Sequence, residues 1–157
     1  MTNLSDRAAS FCILQLDPDR QWLNIMRREL VGAGIREVLI TSDPKEALTQ
    51  IRDAKPDVII THNDLKLVHF LRHHDASPNR QISIIMVTDN VGPADIALMR
   101  DAGVNEIAIK PCSINQLIKR IEAIALHPRE FVDSGEFTGP SRRRRTSYLD
   151  GPDRRSE

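Results

Sequence analysis

Six side chains in this chain could do chemistry together if the fold brings them to one place: Asp17, Asp19, His62, Asp64, Thr88 and Lys110. Each follows or closes a short apolar run. Asp17 and Asp19 come after Phe11 to Leu16, and His62 comes after Val58 to Ile60, with Asp64 two residues on. Thr88 closes Ile82 to Val87, and Lys110 closes Glu106 to Ile109. Carboxylates, a hydroxyl and a lysine around one cleft suit a divalent cation together with a phosphoryl group. His62 is the odd member, because imidazole is a poor ligand for a hard ion such as Mg²⁺.

The elements that must position these residues read from the apolar periods. Val58-Ile59-Ile60 is β-branched, too short for a helix, and predicts a strand buried on both faces. Phe11 to Leu16 and Val38 to Ile40 precede it as strands; Ile82 to Val87 and Glu106 to Ile109 follow it. Between the strands lie helical periods. Trp22, Ile25, Met26 and Leu30 form the first inner face, ended by Gly32 and Gly34. Asp43-Pro44-Lys45-Glu46 opens the second with a cap, a first-turn proline and an acid. Its inner face is Ala47, Leu48 and Ile51. Leu65 to His74 is the third, with Leu67, Val68, Phe70 and Leu71 inward. Gly92-Pro93-Ala94-Asp95 starts the fourth, with Ile96 and Met99 inward and Gly103 at its end. Ser113-Ile114-Asn115-Gln116 is a capping box for the last, which buries Leu117, Ile121 and Ile124 and runs to about His127. Five strands alternating with five helices predict an α/β, flavodoxin-like fold: a parallel sheet of order 2-1-3-4-5 with helices on both faces. The carboxyl ends of strands one, three, four and five then converge on one crevice, where ligands bind in such sheets.

The totals set the bounds. A chain of 157 residues predicts one domain, here 11–127, with a flexible segment 1–10 before it. From 128 to 157 the apolar period stops, and Gly, Pro, Ser, Asp and Arg predict a mostly disordered tail. Gly139-Pro140-Ser141-Arg142-Arg143 returns there as Gly151-Pro152-Asp153-Arg154-Arg155, and Phe131 and Phe137 are its apolar docking candidates. Lys plus Arg and Asp plus Glu balance at 22 each, so net charge points to no partner. Acids flank Arg142 to Arg145, and one Trp and one Tyr leave little for base stacking, so nucleic acid is not the expected partner. An adaptor for nucleic acid or an anionic membrane surface, working through the Arg run, is the reading from another functional class. No membrane span or signal-peptide core is expected, and Cys12 and Cys112 read as two reduced thiols of a cytoplasmic protein. His69 and His73, four apart on a helix, have chelating spacing but no evident third ligand.

In order and interval, four stretches resemble the receiver domain of bacterial two-component response regulators, from about Phe11 to about His127. They are Ile13-Leu14-Gln15-Leu16-Asp17-Pro18-Asp19, Pro56-Asp57-Val58-Ile59-Ile60-Thr61-His62, Ile84-Ile85-Met86-Val87-Thr88, and Ile109-Lys110-Pro111. The segment Phe131 to Arg145 also resembles an Arg-rich extension found behind some single-domain members. The resemblance implies phosphoryl transfer from a histidine kinase to an Asp at the end of the third strand, under Mg²⁺ held by a pair of acids. It assigns Asp17 as first metal acid, Thr88 as the hydroxyl and Lys110 as the lysine. His62 stands at the acceptor position and Pro18 at the second acid, with Asp19 beside it as partial substitute, so a Mg²⁺ site on Asp17 and Asp19 is expected to be weak or absent. Asn63-Asp64-Leu65-Lys66 runs almost directly into a helix where the family has a longer loop, and Ile107 occupies the aromatic switch position. The implied protein is therefore a non-enzymatic pseudo-receiver that needs no cofactor and signals by protein contact. With no output domain expected after it, its partner is a histidine kinase or a downstream target. The resemblance places that contact, or a homodimer, on a face including Arg100, Ile107, Gln116 and Lys119. The alternative is a weakly phosphorylatable receiver using Asp64 or Asp17 as a displaced acceptor.

Overall fold

The computed structural model describes residues 4–89 and 91–142. Five strands, β1 (Cys12–Leu16), β2 (Glu37–Thr41), β3 (Val58–Thr61), β4 (Ser83–Thr88) and β5 (Glu106–Ile109), form one sheet of order β2-β1-β3-β4-β5. Every pairing is parallel, as the alternation of strands and helices requires. Six helices accompany them among the described residues: α1 (Asp6–Ala9), α2 (Arg20–Ala33), α3 (Pro44–Ala54), α4 (Leu65–His73), α5 (Pro93–Ala102) and α6 (Ile114–Leu126).

The pleat splits the core into two layers. Ile13, Val58, Ile60, Ile85 and Val87 face α2 and α6 with Met26, Leu30, Leu117 and Ile121. The alternate residues Leu14, Leu16, Ile59, Ile84 and Met86 face α3, α4 and α5 with Ile51, Leu67, Leu71 and Met99. Both faces of the sheet are thus apolar, which is why its strands read as continuous runs.

The helix ends follow the sequence signals. Asp43 accepts from the Lys45 N–H with Pro44 at the first turn, and Ser113 with Gln116 closes a reciprocal capping box. Gly34 and Gly103 take left-handed conformations at the ends of α2 and α5. Glu46 does not reach back to its cap; it accepts the Thr41 hydroxyl at 2.8 Å.

Three expectations change. In α2 Met26 and Leu30 are buried as expected, but Leu23, at 2 % exposure, takes the place of Ile25, which is 42 % exposed, and Trp22 is only partly buried, packing against the edge of the core and against Lys110. The segment before Phe11 is not merely flexible. Its described part, from Leu4, forms α1 with Ala8 buried, and the Ser5 N–H donates to Glu122 Oε1 on α6 at 2.7 Å. The domain also does not stop at His127. Strands β6 (Phe131–Asp133) and β7 (Thr138–Pro140) pair antiparallel as a hairpin on the body of the domain. Its turn is locked by the Ser134 N–H donating to Phe137 O at 2.8 Å. The tail reading therefore fails for 128–142, and the Arg run beyond Arg142 and the second copy of the Gly-Pro repeat lie outside the described residues. Among those described, no helix is long and apolar enough to cross a membrane.

Candidate functional site

Strands β1, β3, β4 and β5 end side by side, and their ends deliver the predicted residues to one crevice. The ladder continues past the strands: the His62 N–H donates to Leu16 O at 3.1 Å and the Lys110 N–H to Thr88 O at 2.6 Å. The backbones carrying Asp17, His62, Thr88 and Lys110 are therefore fixed relative to one another by the sheet.

Asp17 is only 3 % exposed, and both of its oxygens are engaged. Oδ1 accepts the Asp19 N–H at 2.8 Å, and Oδ2 pairs with Lys110 Nζ at 3.3 Å. The Lys110 ammonium also stands 4.5 Å from the centre of the Trp22 ring, a cation–π contact. Sequence periodicity reads Trp22 as a core residue; its contact with Lys110 has no signal in the sequence.

The other acids are occupied by helix starts. Asp19 accepts from the Trp22 N–H at 3.1 Å as the cap of α2. Asp64 Oδ1 accepts from the Leu67 N–H at 3.0 Å as the cap of α4. Each carboxylate satisfies an otherwise orphaned amide and stabilises its helix by about 1 kcal/mol. His62 is half-buried, and its Nδ1 has no hydrogen-bond partner among the described residues; neither Asp17 nor Asp19 bonds to it. The Gln15 amide, two residues before Asp17, and the Thr61 hydroxyl, one residue before His62, are buried and likewise have no hydrogen-bond partner among the described residues. Thr88 is buried at its strand end.

This donor set does not fit Mg²⁺. A hard cation needs several carboxylate or carbonyl oxygens converging in octahedral geometry. Here Asp17 is neutralised by a lysine, Asp19 and Asp64 point their oxygens at amides, and the strand-end residue between them is an imidazole. No group of three His, Cys, Asp or Glu side chains among the described residues converges on a metal position. His69 and His73 do meet, with ring centres 4.5 Å apart, but as a tilted pair on one helix face. Burial, with His69 second, holds His73 below the ordinary histidine range. The two thiols are free and buried: burial and the bond to Glu37 push Cys12 up to about 11, and burial raises Cys112.

Of the expected interaction face, Arg100 on α5 and Gln116 and Lys119 on α6 are exposed, while Ile107 on β5 is half-buried against the α3–α5 layer. The structure adds two apolar residues to those elements, Leu98 and Ile109, both large and exposed.

The comparisons with known proteins agree with this architecture. The family model described as the response regulator receiver domain matches residues 13–122. The DNA-binding response regulator MtrA of Mycolicibacterium smegmatis is 25 % identical over 117 residues, covering 71 % of this chain and 49 % of MtrA. This chain thus spans about half the length of the curated relatives it matches. Among solved structures, the chemotaxis protein CheY4 of Vibrio cholerae superposes with a TM-score of 0.66 at 23 % identity, covering 73 % of this chain and 98 % of CheY4. A response regulator from Chloroflexus aurantiacus, described as putative, gives 0.66 at 25 % identity, over 74 % and 98 %. A matching model over most of the chain, the 2-1-3-4-5 sheet and the crevice at its carboxyl end lead to one statement: the chain belongs to the response regulator receiver domain family.

Proposed function

We propose that this receiver is a pseudo-receiver, a protein–protein interaction module of bacterial two-component or phosphorelay signalling that works in the cytoplasm without aspartyl phosphate. The observation that supports this most is the commitment of the crevice groups to one another. Lys110 is held between Asp17 and the Trp22 ring, and Asp19 and Asp64 are helix caps. A phosphoryl group arriving there would have to break an ion pair, find a metal without a donor set, and use an imidazole where a carboxylate is needed. The output then rests on surface contact with a histidine kinase or a downstream target. The α5–β5–α6 face, with Arg100, Gln116 and Lys119 around the exposed Leu98 and Ile109, is where we place that contact or a homodimer.

The test is mass spectrometry after incubation with acetyl phosphate and Mg²⁺. Unchanged mass in the wild type is expected, and also in His62→Asp, because restoring the acceptor does not free Asp17 from Lys110. An added phosphoryl group that survives in His62→Ala and disappears in Asp64→Asn would overturn the proposal and make this a weakly phosphorylatable receiver with a displaced acceptor.

A further inference from the structure

At the amino-terminal end of the sheet, opposite the crevice, the hairpin is seated on the domain backbone to backbone. Gly139 of β7 lies against Gly103, the residue that ends α5. A Cβ on Gly139 would stand 2.8 Å from Gly103 Cα and 3.1 Å from Phe137, and one on Gly103 would stand 2.7 Å from Thr138 O. Only two facing glycines allow this approach.

Beneath the seat is Arg72 of α4, at 0 % exposure, with no carboxylate partner among the described residues. Its guanidinium donates to Gly103 O through Nε at 3.0 Å and Nη2 at 2.8 Å, to Arg80 O at 2.6 Å, and to Asn105 Oδ1 at 3.1 Å. Phe131 of β6 covers it at 5.5 Å. Further contacts ring the hairpin: Arg80 with Asp133 at 3.4 Å, and Arg142 with Asp101 of α5 at 2.8 Å, under the Phe137 ring at 4.6 Å. On its α6 side the seat is loosely filled, leaving a cavity of about 180 Å³ lined by residues including Asn105, Ile124, His127 and Phe131.

We propose that the β6–β7 hairpin is a strap that fixes the carboxyl end of α5 and the turn after it, and that lifts to free them. The proposal rests on the phosphoryl-free reading, since it supplies that receiver with a two-position element that needs no phosphoryl group. Three features make the strap able to lift. It is gripped at Gly103 along one edge, while along the other it meets a cavity whose lining includes the Arg129–Glu106 pair at 3.2 Å. It is held by solvent-facing ion pairs at its rim. It also covers a cation that has no counter-ion among the described residues and regains water when uncovered. It acts on α5 because the residues it touches, Gly103 and Asp101, are the last turn of that helix.

The test is hydrogen–deuterium exchange of the full chain, read by mass spectrometry, in wild type, Gly139→Ala and Asp101→Asn. The added methyl of Gly139→Ala cannot fit against Gly103. It is expected to speed exchange roughly tenfold or more in peptides covering both 131–140 and 97–105, while peptides of β1 and α2 keep wild-type rates. Asp101→Asn, which leaves both glycines in place, should give a smaller rise in the same two regions. Faster exchange confined to the hairpin, with α5 unchanged in both variants, would overturn the strap and make the hairpin a passive appendage. A uniform rise through β1 and α2 would overturn it too, by making the hairpin one cooperative unit with the core. No phosphodonor enters this measurement. A failed strap therefore leaves the phosphoryl-free reading intact, and acetyl-phosphate labelling that succeeds leaves the strap intact.

Discussion

Two cations sit at opposite ends of the sheet, each against an aromatic ring, and they are held in opposite ways. Lys110 at the carboxyl end has an acid, Asp17, and keeps about a quarter of its side chain in water. Arg72 at the amino end has no acid partner among the described residues and exposes none of its surface, and its planar fork is filled by backbone and amide oxygens. Burial alone lowers the Arg72 pKa to about 10, still far above neutrality, so the charge persists inside. A compact ammonium works where one point charge must be met; a guanidinium works where several fixed carbonyls must be met at once. At the first end the charged groups of the crevice are engaged with one another and with helix starts. The second joins residues of the matched receiver region, Arg72, Arg80, Gly103 and Asn105, to a hairpin that follows it, and it is the more fully satisfied of the two.

Substitution at each end should break this comparison to a different depth. Arg72→Met is expected to have the largest effect, about 3 kcal/mol of lost stability, because it strands the carbonyls of Gly103 and Arg80 in a dry site. A urea denaturation midpoint measures it, and a loss no larger than that of a surface substitution would mean that water reaches the carbonyls in the folded state. Lys110→Met comes next, at about 2 kcal/mol, since it leaves the buried Asp17 carboxylate without its cation, yet the lysine's own partial exposure limits the loss. The same melt on Lys110→Met should show this while binding to any partner on the α5–β5–α6 face stays unchanged. A stability equal to wild type would show the ion pair to be idle. Smallest is Asp64, where charge and capping can be separated. Asp64→Ala should cost about 1 kcal/mol by uncapping α4, while Asp64→Asn should cost only a few tenths, because asparagine caps as well as aspartate. Equal losses in the two variants would mean that the negative charge, and not the cap, is what matters there.

Much of the first end could be read from the sequence. Short apolar runs marked all five strands, Asp43-Pro44 and Ser113 to Gln116 marked helix starts, and Gly34 and Gly103 marked helix ends. The convergence of strand ends placed Asp17 and Lys110 at one crevice, although β3 and β4 lie between the strands that carry them, so their contact itself was not fixed by the strand order. What escaped was set by distant contacts. Arg72-His73 looks like the solvated end of a helix; Arg72 is buried because Gly103 and Asn105, some thirty positions on, and Phe131, some sixty positions on, close around it. The hairpin has strands of three residues and a glycine at its closest contact, so it carries no period for a pattern to detect. Trp22 was legible as apolar but not as a partner for Lys110, because helical spacing gives the face and not the rotation that turned Leu23 inward in place of Ile25.

The placement of Trp22 has a practical side. It is the only tryptophan in the chain, and its indole lies 4.5 Å from the Lys110 ammonium. Indole emission responds to a nearby charge and to the polarity around the ring. The crevice therefore carries its own optical reporter: whatever draws Lys110 away from Asp17, whether an anion, a partner or a rise in salt, will change the fluorescence of unlabelled protein, and events confined to the strap at the far end of the sheet will leave it dark.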